Sequence, residues 1–154
     1  MSERLEISST YVLKKNEFDT LLARLQEKGY QTIGATVDND TLVYSPVSKL
    51  EEFPQGYASE QEAGHFRLTE TNHERYFDYV PGAHSWKQFL FPSRTELFTL
   101  RKNGNTWITE LPTKEQPKYA FIGVRGCELS AVQIQDDIFI RDDFTDPVYE
   151  KRRQ

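Results

Sequence analysis

The chain has 154 residues, which is enough for one domain with a hydrophobic core. Its net charge is −5 and its basic residues are scattered, so composition indicates no nucleic-acid surface, and an aromatic content of 13% argues against a disordered chain. No apolar run is long enough to span a membrane, and the N-terminus lacks a signal-peptide core. A single cysteine excludes an internal disulfide framework. We therefore expect a cytoplasmic protein.

The first third of the chain predicts a helix followed by a β-hairpin. An apolar stripe at helical spacing is formed by Phe18, Leu21, Leu22 and Leu25. With Asn16 as N-cap and a glycine after its end, the predicted helix covers residues 16–28. Strand-like runs at residues 30–37 and 41–44 flank an Asp-Asn-Asp turn cluster, which predicts the hairpin.

The middle of the chain is less regular. Residues 48–56 predict a loop with one helical turn, residues 58–64 predict an acidic, exposed segment, and residues 65–70 predict a strand. Residues 71–93 carry many aromatic rings, with a short helix predicted at residues 86–90 before a proline. Because so many large rings cannot face solvent without cost, we expect this segment to wrap a core or to contact a partner.

The last third is organised around residues 119–136. An Asn-Gly pair between strand-like runs predicts another hairpin at residues 97–111, with a polar linker following it. Residues 119–124 predict a buried strand, Arg125-Gly126 a turn and residues 128–136 a helix. One side of that helix carries Ala131, Ile134 and Ile138. A short strand at residues 138–140 and a helix beginning near residue 150 complete the pattern.

These elements predict a single α+β domain over residues 1–154. We expect a mixed, mainly antiparallel sheet of about five to seven strands with two or three packed helices. The helix at residues 16–28 should lie on one face of that sheet. The strand, turn and helix of residues 119–136 should run through its centre.

The only cysteine, Cys127, lies where the predicted strand becomes a helix. The N–H groups and partial positive charge of a helix N-terminus stabilise a thiolate, and Arg125 would add to that effect. A thiolate binds metal or attacks an electrophile, whereas a small buried thiol would only pack beneath the turn. Both interpretations remain open on local sequence.

Other motifs for chemistry are weak. The histidines, His65, His73 and His84, lack the short spacing of a conventional zinc-ligand pair. The chain has no G-x-G-x-x-G motif, no Walker loop and no nucleophile elbow. The adjacent carboxylates Asp136-Asp137 are typical of solvated charge rather than of an acid/base pair separated across a cleft.

Three segments resemble the N-terminal region of a family of iron–sulfur electron-transfer subunits. The segments are WKQFLFPSRTELF, FIGVRGCELSAVQIQDDIF and DPVYEKRR, in this order, and the resemblance covers most of residues 64–153. The family includes the beta subunit of sulfhydrogenases and an electron-transfer subunit of the anaerobic sulfite reductase. The matching positions are Lys87, Phe89, Phe91 and Pro92; Arg125, Cys127, Glu128 and Leu129; and Asp146, Tyr149, Arg152 and Arg153.

The resemblance implies an N-terminal domain that shelters a [4Fe–4S] cluster and docks other subunits of an oxidoreductase complex, such as a flavin, hydrogenase or reductase subunit. It implies Cys127 as one cluster ligand. The cofactor-binding candidates that accompany it are Arg125, Gly126, Glu128, Arg152 and Arg153. A cubane needs four ligands and the chain has one cysteine, so we expect no cofactor in this chain alone and a cluster only in a longer full-length protein.

Two further hypotheses belong to other functional classes. A non-redox binding module would use the aromatic segment, residues 76–91, as its partner surface and would leave those rings exposed. A cysteine enzyme would use Cys127 as nucleophile and would need a base, most simply a histidine, within hydrogen-bond reach. We expect no catalytic residue in the chain if the first hypothesis, an iron–sulfur subunit, holds.

Overall fold

The structure is a computed structural model that describes residues 9–80, 82, 84–110 and 117–153, except the side chain of Asp142. Within these ranges the helices are α1 (Phe18–Glu27), α2 (Lys87–Leu90), α3 (Gly126–Phe139) and α4 (Pro147–Arg153). The strands are β1 (Tyr30–Asp38), β2 (Thr41–Pro46), β3 (Tyr57–Glu62), β4 (His65–Glu70), β5 (Thr99–Asn103), β6 (Thr106–Glu110) and β7 (Lys118–Phe121). The predicted α+β class is confirmed.

A three-stranded sheet in the order β2-β1-β7 forms the centre of the fold. Strands β1 and β2 pair antiparallel across the predicted turn, where Asn39 and Asp40 have φ values of 48° and 57°. Both residue types tolerate this left-handed backbone, which a tight hairpin turn requires. Strand β7 pairs parallel to β1 and lies at the edge of the sheet, so the expectation that residues 119–136 run through the centre is wrong.

The strands do not form one sheet of five to seven strands as expected. Hairpins β3–β4 and β5–β6 are each a separate two-stranded sheet. Strand β3 lies mostly in the acidic segment, for which the sequence predicted exposure but no strand, because its acidic and polar residues give no apolar alternation. The hairpin at Asn103-Gly104 is confirmed, while its predicted end at residue 111 and most of the following linker lie outside the described residues.

The aromatic segment of residues 76–91 supplies much of the core. Trp86 is 2% exposed, and its ring centroid lies 3.9 Å from that of Tyr44 on β2 and 4.6 Å from that of Phe121 on β7. Tyr79 is buried in the same cluster, and Phe77 packs between this cluster and a second one around Leu22. The interpretation of this segment as a ring-exposing partner surface is therefore wrong for most of its rings, which pack within the domain, although Phe91 is 38% exposed.

The helices differ from the predicted ones at their ends. The Asn16 cap is wrong, because Asn16 lies inside a short 3-10 turn, Lys15–Glu17, that precedes α1. Gly29 follows α1 with a φ of 84°, which confirms the predicted end. Helix α3 continues to Phe139, so the predicted strand at residues 138–140 is wrong. No helix of the described residues combines the length and apolarity needed to cross a bilayer.

The two tryptophans of the chain provide a matched test of this packing. Replacing Trp86 with Ala should lower the free energy of unfolding by about 3–5 kcal/mol, because it leaves a cavity between Tyr44 and Phe121. Replacing Trp107, which is 65% exposed on β6, should change it by no more than about 0.5 kcal/mol. Urea denaturation measures both values, and similar losses in the two variants would contradict the assignment of Trp86 to the core.

Candidate functional site

The N-terminal end of α3, where Cys127 lies, is built by local backbone chemistry. Arg125 occupies the N-cap position with extended backbone, φ −90° and ψ 158°. Its backbone N–H donates to Glu128 Oε2 at 3.0 Å, which is one half of a capping box. Arginine has no acceptor atoms, so its side chain cannot return the second bond of that motif.

Side chains on both sides of Cys127 connect this end of the helix to the core. The Tyr44 hydroxyl donates to Glu128 Oε1 at 2.6 Å. The Arg125 guanidinium donates to the carbonyl oxygen of Phe77 at 3.2 Å. Burial raises the pKa of Tyr44, and its hydrogen bond to Glu128 raises it further. Arg125 and Glu128 therefore position the helix from within the domain.

Cys127 itself faces solvent, so the interpretation of this residue as a small buried thiol is wrong. The neighbouring Gly126 is exposed, and a Cβ built on it would have no other atom within 4 Å. At 3.6 residues per turn, an apolar stripe lies within about 60° of Cys127 on the same side of the helix. Its members, Ala131, Ile134 and Ile138, are all exposed.

The opposite side of α3 contacts the domain and mixes polar with apolar residues, among them Phe139, whose ring stacks on Phe91. Its half-buried residues are Glu128, Val132, Gln135, Asp136 and Phe139. A helix on a globular domain normally turns its apolar stripe toward the core. Helix α3 has the opposite orientation, because its apolar stripe of Ala131, Ile134 and Ile138 faces outward. On its inner side, the carboxylates of Glu128 and Asp136 help attach it to the domain. The apolar stripe, together with Cys127, is called the α3 outer face below.

Arg152 and Arg153 lie elsewhere, at the end of α4. Arg153 donates to both oxygens of Asp136 at 2.7 Å, and the Tyr149 hydroxyl donates to Asp136 Oδ1 at 2.8 Å. Asp136 follows Cys127 by nine residues, or about 13 Å along the helix axis. The structure thus brings together Arg125, Gly126, Cys127 and Glu128, but Arg153 belongs to a different cluster.

Asp136 corrects one expectation from the sequence. It is a bonded member of the Arg153–Tyr149 cluster, whereas the sequence indicated solvated charge. Asp146, which precedes α4, has a different role: its Oδ1 accepts the backbone N–H groups of Val148 and Tyr149 at 2.9 Å and so caps α4. No signal in the sequence indicated that Tyr44 donates to Glu128 or that Tyr149 donates to Asp136. Tyr44 lies 84 residues from Glu128, and Tyr149 lies on a different helix from Asp136.

Neither a nucleophile–base pair nor a complete metal site is found around Cys127. Among the described residues, no histidine is hydrogen-bonded to the thiol, and His73 instead lies 3.1 Å from Asp78. Within the same ranges, no group of three or more histidine, cysteine, aspartate or glutamate side chains could hold a metal ion. Cys127 therefore offers a single sulfur ligand from this part of the chain.

Comparison with protein-family models, with curated proteins and with solved structures finds no match to this chain. The resemblance to iron–sulfur electron-transfer subunits accordingly stays an expectation drawn from three sequence segments.

The Asp136–Arg153 pair predicts a pH-dependent stability. Hydrogen bonding to Arg153 lowers the pKa of Asp136, burial opposes this shift, and Tyr149 lowers the pKa further. Asp136→Asn should therefore cost about 1–2 kcal/mol of unfolding free energy near pH 7, a value reduced for solvent screening at the partly exposed Arg153.

Because the folded-state pKa of Asp136 is depressed, its stabilisation is present above the unfolded value of about 3.9 and is lost as pH falls through the folded value. The difference between wild type and Asp136→Asn should shrink in that window. Asp137→Asn is the matched control, since Asp137 is exposed and has no hydrogen-bonded partner among the described residues. Denaturation curves between pH 2 and 7 measure both differences, and a gap for Asp136→Asn that stays constant with pH would contradict the pair's role.

Proposed function

We propose that this chain is a docking domain of an iron–sulfur oxidoreductase, and that a cluster-bearing subunit or domain binds its α3 outer face. The observation that carries the proposal is the reversed orientation of α3. Ile134 is 61% exposed and Ile138 is 59% exposed on the same side of the helix as the only cysteine. Burial of each isoleucine by a partner would contribute about 1.5–3 kcal/mol at full burial.

The position of Cys127 supports a role for its thiolate at that interface. It lies in the first turn of a 14-residue helix, where unpaired N–H groups and the helix dipole favour negative charge. A [4Fe–4S] cluster supplies electron-transfer chemistry when bound and takes four ligands, usually cysteines. The described residues offer one, so the partner would hold the cluster and Cys127 would complete its ligand set.

The residues around Cys127 have supporting roles in this proposal. Glu128 is bonded to Tyr44 and Arg125 is bonded to the Phe77 carbonyl, so both hold the helix end in place while the thiol stays accessible. Gly126, the first residue of the helix, is exposed beside the thiol. Glu128 also brings a carboxylate next to Cys127 in the chain. Because this carboxylate accepts hydrogen bonds from the Tyr44 hydroxyl and the Arg125 N–H, its negative charge is directed toward the domain.

A docking domain without a cluster is the second candidate, because the same exposed stripe favours it. The two candidates differ in the role of Cys127. In the second, Cys127 is only a small residue at one end of the interface, and iron content is independent of it. Measurement of iron therefore separates them.

The ligand role predicts a loss of iron on substitution of Cys127. The assembly should be purified anaerobically from its natural host through an affinity tag on this protein, in wild-type, Cys127→Ser and Ser130→Ala forms. Cys127→Ser should lower iron by up to about four atoms per chain, the content of one cubane, or change the cluster's EPR spectrum. Ser130→Ala, on the next turn of the same helix, should change neither quantity. Unchanged iron and an unchanged spectrum in Cys127→Ser would remove the ligand assignment.

The docking role predicts a loss of assembly when charge is placed on the α3 outer face. Ile134→Glu combined with Ile138→Glu should release the partner, because burying unpaired carboxylates is costly. Phe144→Glu is the control, since Phe144 is 83% exposed and lies outside the stripe. Light scattering after size exclusion measures the assembly mass. A mass unchanged by the double substitution would show that the partner binds elsewhere.

A further inference from the structure

A second feature, independent of the proposed function, is a cavity of about 320 Å³ between β7, the start of β1 and the end of α4. Its floor and walls combine aromatic rings with basic side chains. The residues used in the argument are Tyr30, Lys118, Tyr119, Phe121, Lys151 and Arg152. The cavity lies beside the Arg153–Asp136 ion pair, and Arg153 also lines it.

The charge of this cavity is opposite to that of the whole protein. The chain carries a net charge of −5, yet among the residues that the structure describes, four basic side chains and no aspartate or glutamate line the cavity. Arg153 is neutralised by Asp136, but within the described ranges neither Lys118 nor Lys151 forms a salt bridge. At least two cations at its rim are thus available to an anion, and ligand phosphates bind such cations strongly.

The helix dipole does not explain this arrangement. Basic residues in the last turn of a helix complement the negative C-terminal end, which accounts in part for Lys151 and Arg152 on α4. Lys118 lies on β7, outside any helix, and still lines the same cavity. Strand and helix therefore bring positive charge to one place from positions more than thirty residues apart in the chain.

Aromatic rings provide an apolar surface next to these cations. Tyr119 and Phe121 alternate onto the same side of β7, with ring centroids 5.7 Å apart and planes inclined by 14°. Phe89 supports both rings from behind, at 5.3 Å from Tyr119 and 5.7 Å from Phe121. Burial raises the pKa of Tyr119, while the positive charge of Arg152 opposes that shift.

We propose that this cavity binds a nucleotide-class ligand, a flat heteroaromatic ring that carries phosphate groups. The phosphates would contact Lys118 and Lys151, and the ring would pack against the aromatic wall. Stacking of a base on an aromatic side chain contributes about 1–3 kcal/mol. A volume of about 320 Å³ is near the lower limit for small-molecule sites, so it suits a mononucleotide better than a dinucleotide.

The test uses ADP as the probe and the whole chain, with no partner present. ADP binding by calorimetry should weaken by about tenfold, or about 1.4 kcal/mol, in Lys118→Gln combined with Lys151→Gln. The control is Lys102→Gln, a lysine of the exposed β5–β6 hairpin, which should bind ADP as wild type does. Inorganic pyrophosphate, which lacks the ring, and adenosine, which lacks the phosphates, should each bind more weakly than ADP.

Amide chemical-shift changes locate the bound probe. On titration with ADP they should be centred on Lys118, Tyr119 and the last turn of α4. Absence of ADP binding at millimolar concentration, equal binding by the double variant, or shifts centred on the β5–β6 hairpin would each overturn the proposal. Equal binding of pyrophosphate and ADP would overturn the ring contact, and equal binding of adenosine and ADP would overturn the phosphate contact. None of these results depends on a partner or on iron, so the outcome is independent of the docking proposal.

Discussion

The packing of Trp86 between Tyr44 and Phe121 is the contact on which the rest of the domain depends. It joins β2 and β7 through a ring supplied by the aromatic segment, although these strands do not pair with each other. Only three strands form the central sheet, so a large part of the buried apolar surface must come from this segment. The same contact fixes Tyr44, whose hydroxyl then holds Glu128 at the start of α3.

Helix α3 is attached to the domain through polar groups at both ends and through the ring of Phe139, which packs against Phe91 and Tyr149. Glu128 at one end accepts from Tyr44, and Asp136 near the other end accepts from Tyr149 and Arg153. Hydrogen bonds to charged groups contribute about 1.5–3 kcal/mol each, enough to orient a helix whose apolar stripe faces away. This reversed orientation leaves the α3 outer face free for a partner, and it places the only thiol of the chain at one end of that face.

The Asp136–Arg153 pair also separates two surfaces with different chemistry. On the outer side of α3 the exposed groups are aliphatic, whereas beyond Arg153 the cavity beside β7 is aromatic and cationic. By engaging one arginine, Asp136 lowers the positive charge of the cavity without adding a carboxylate to its lining. Helix α3 thus borders both proposed surfaces. Its inner side carries Asp136, which binds Arg153 beside the cavity, and its outer side carries the exposed aliphatic residues.

The sequence by itself determined the α+β class, helix α1, the hairpins at Asp38–Asp40 and Asn103-Gly104, and the strand-to-helix turn at Cys127, because local periodicity and turn chemistry encode these features. It did not determine that β7 is an edge strand, that Tyr79 and Trp86 fill the core, or that Glu128 and Asp136 are bonded to Tyr44 and Arg153. Those features depend on contacts between residues 17 to 88 positions apart, which no local pattern encodes. Tertiary structure alone decided which side of α3 faces outward, since its apolar spacing would ordinarily indicate a core face.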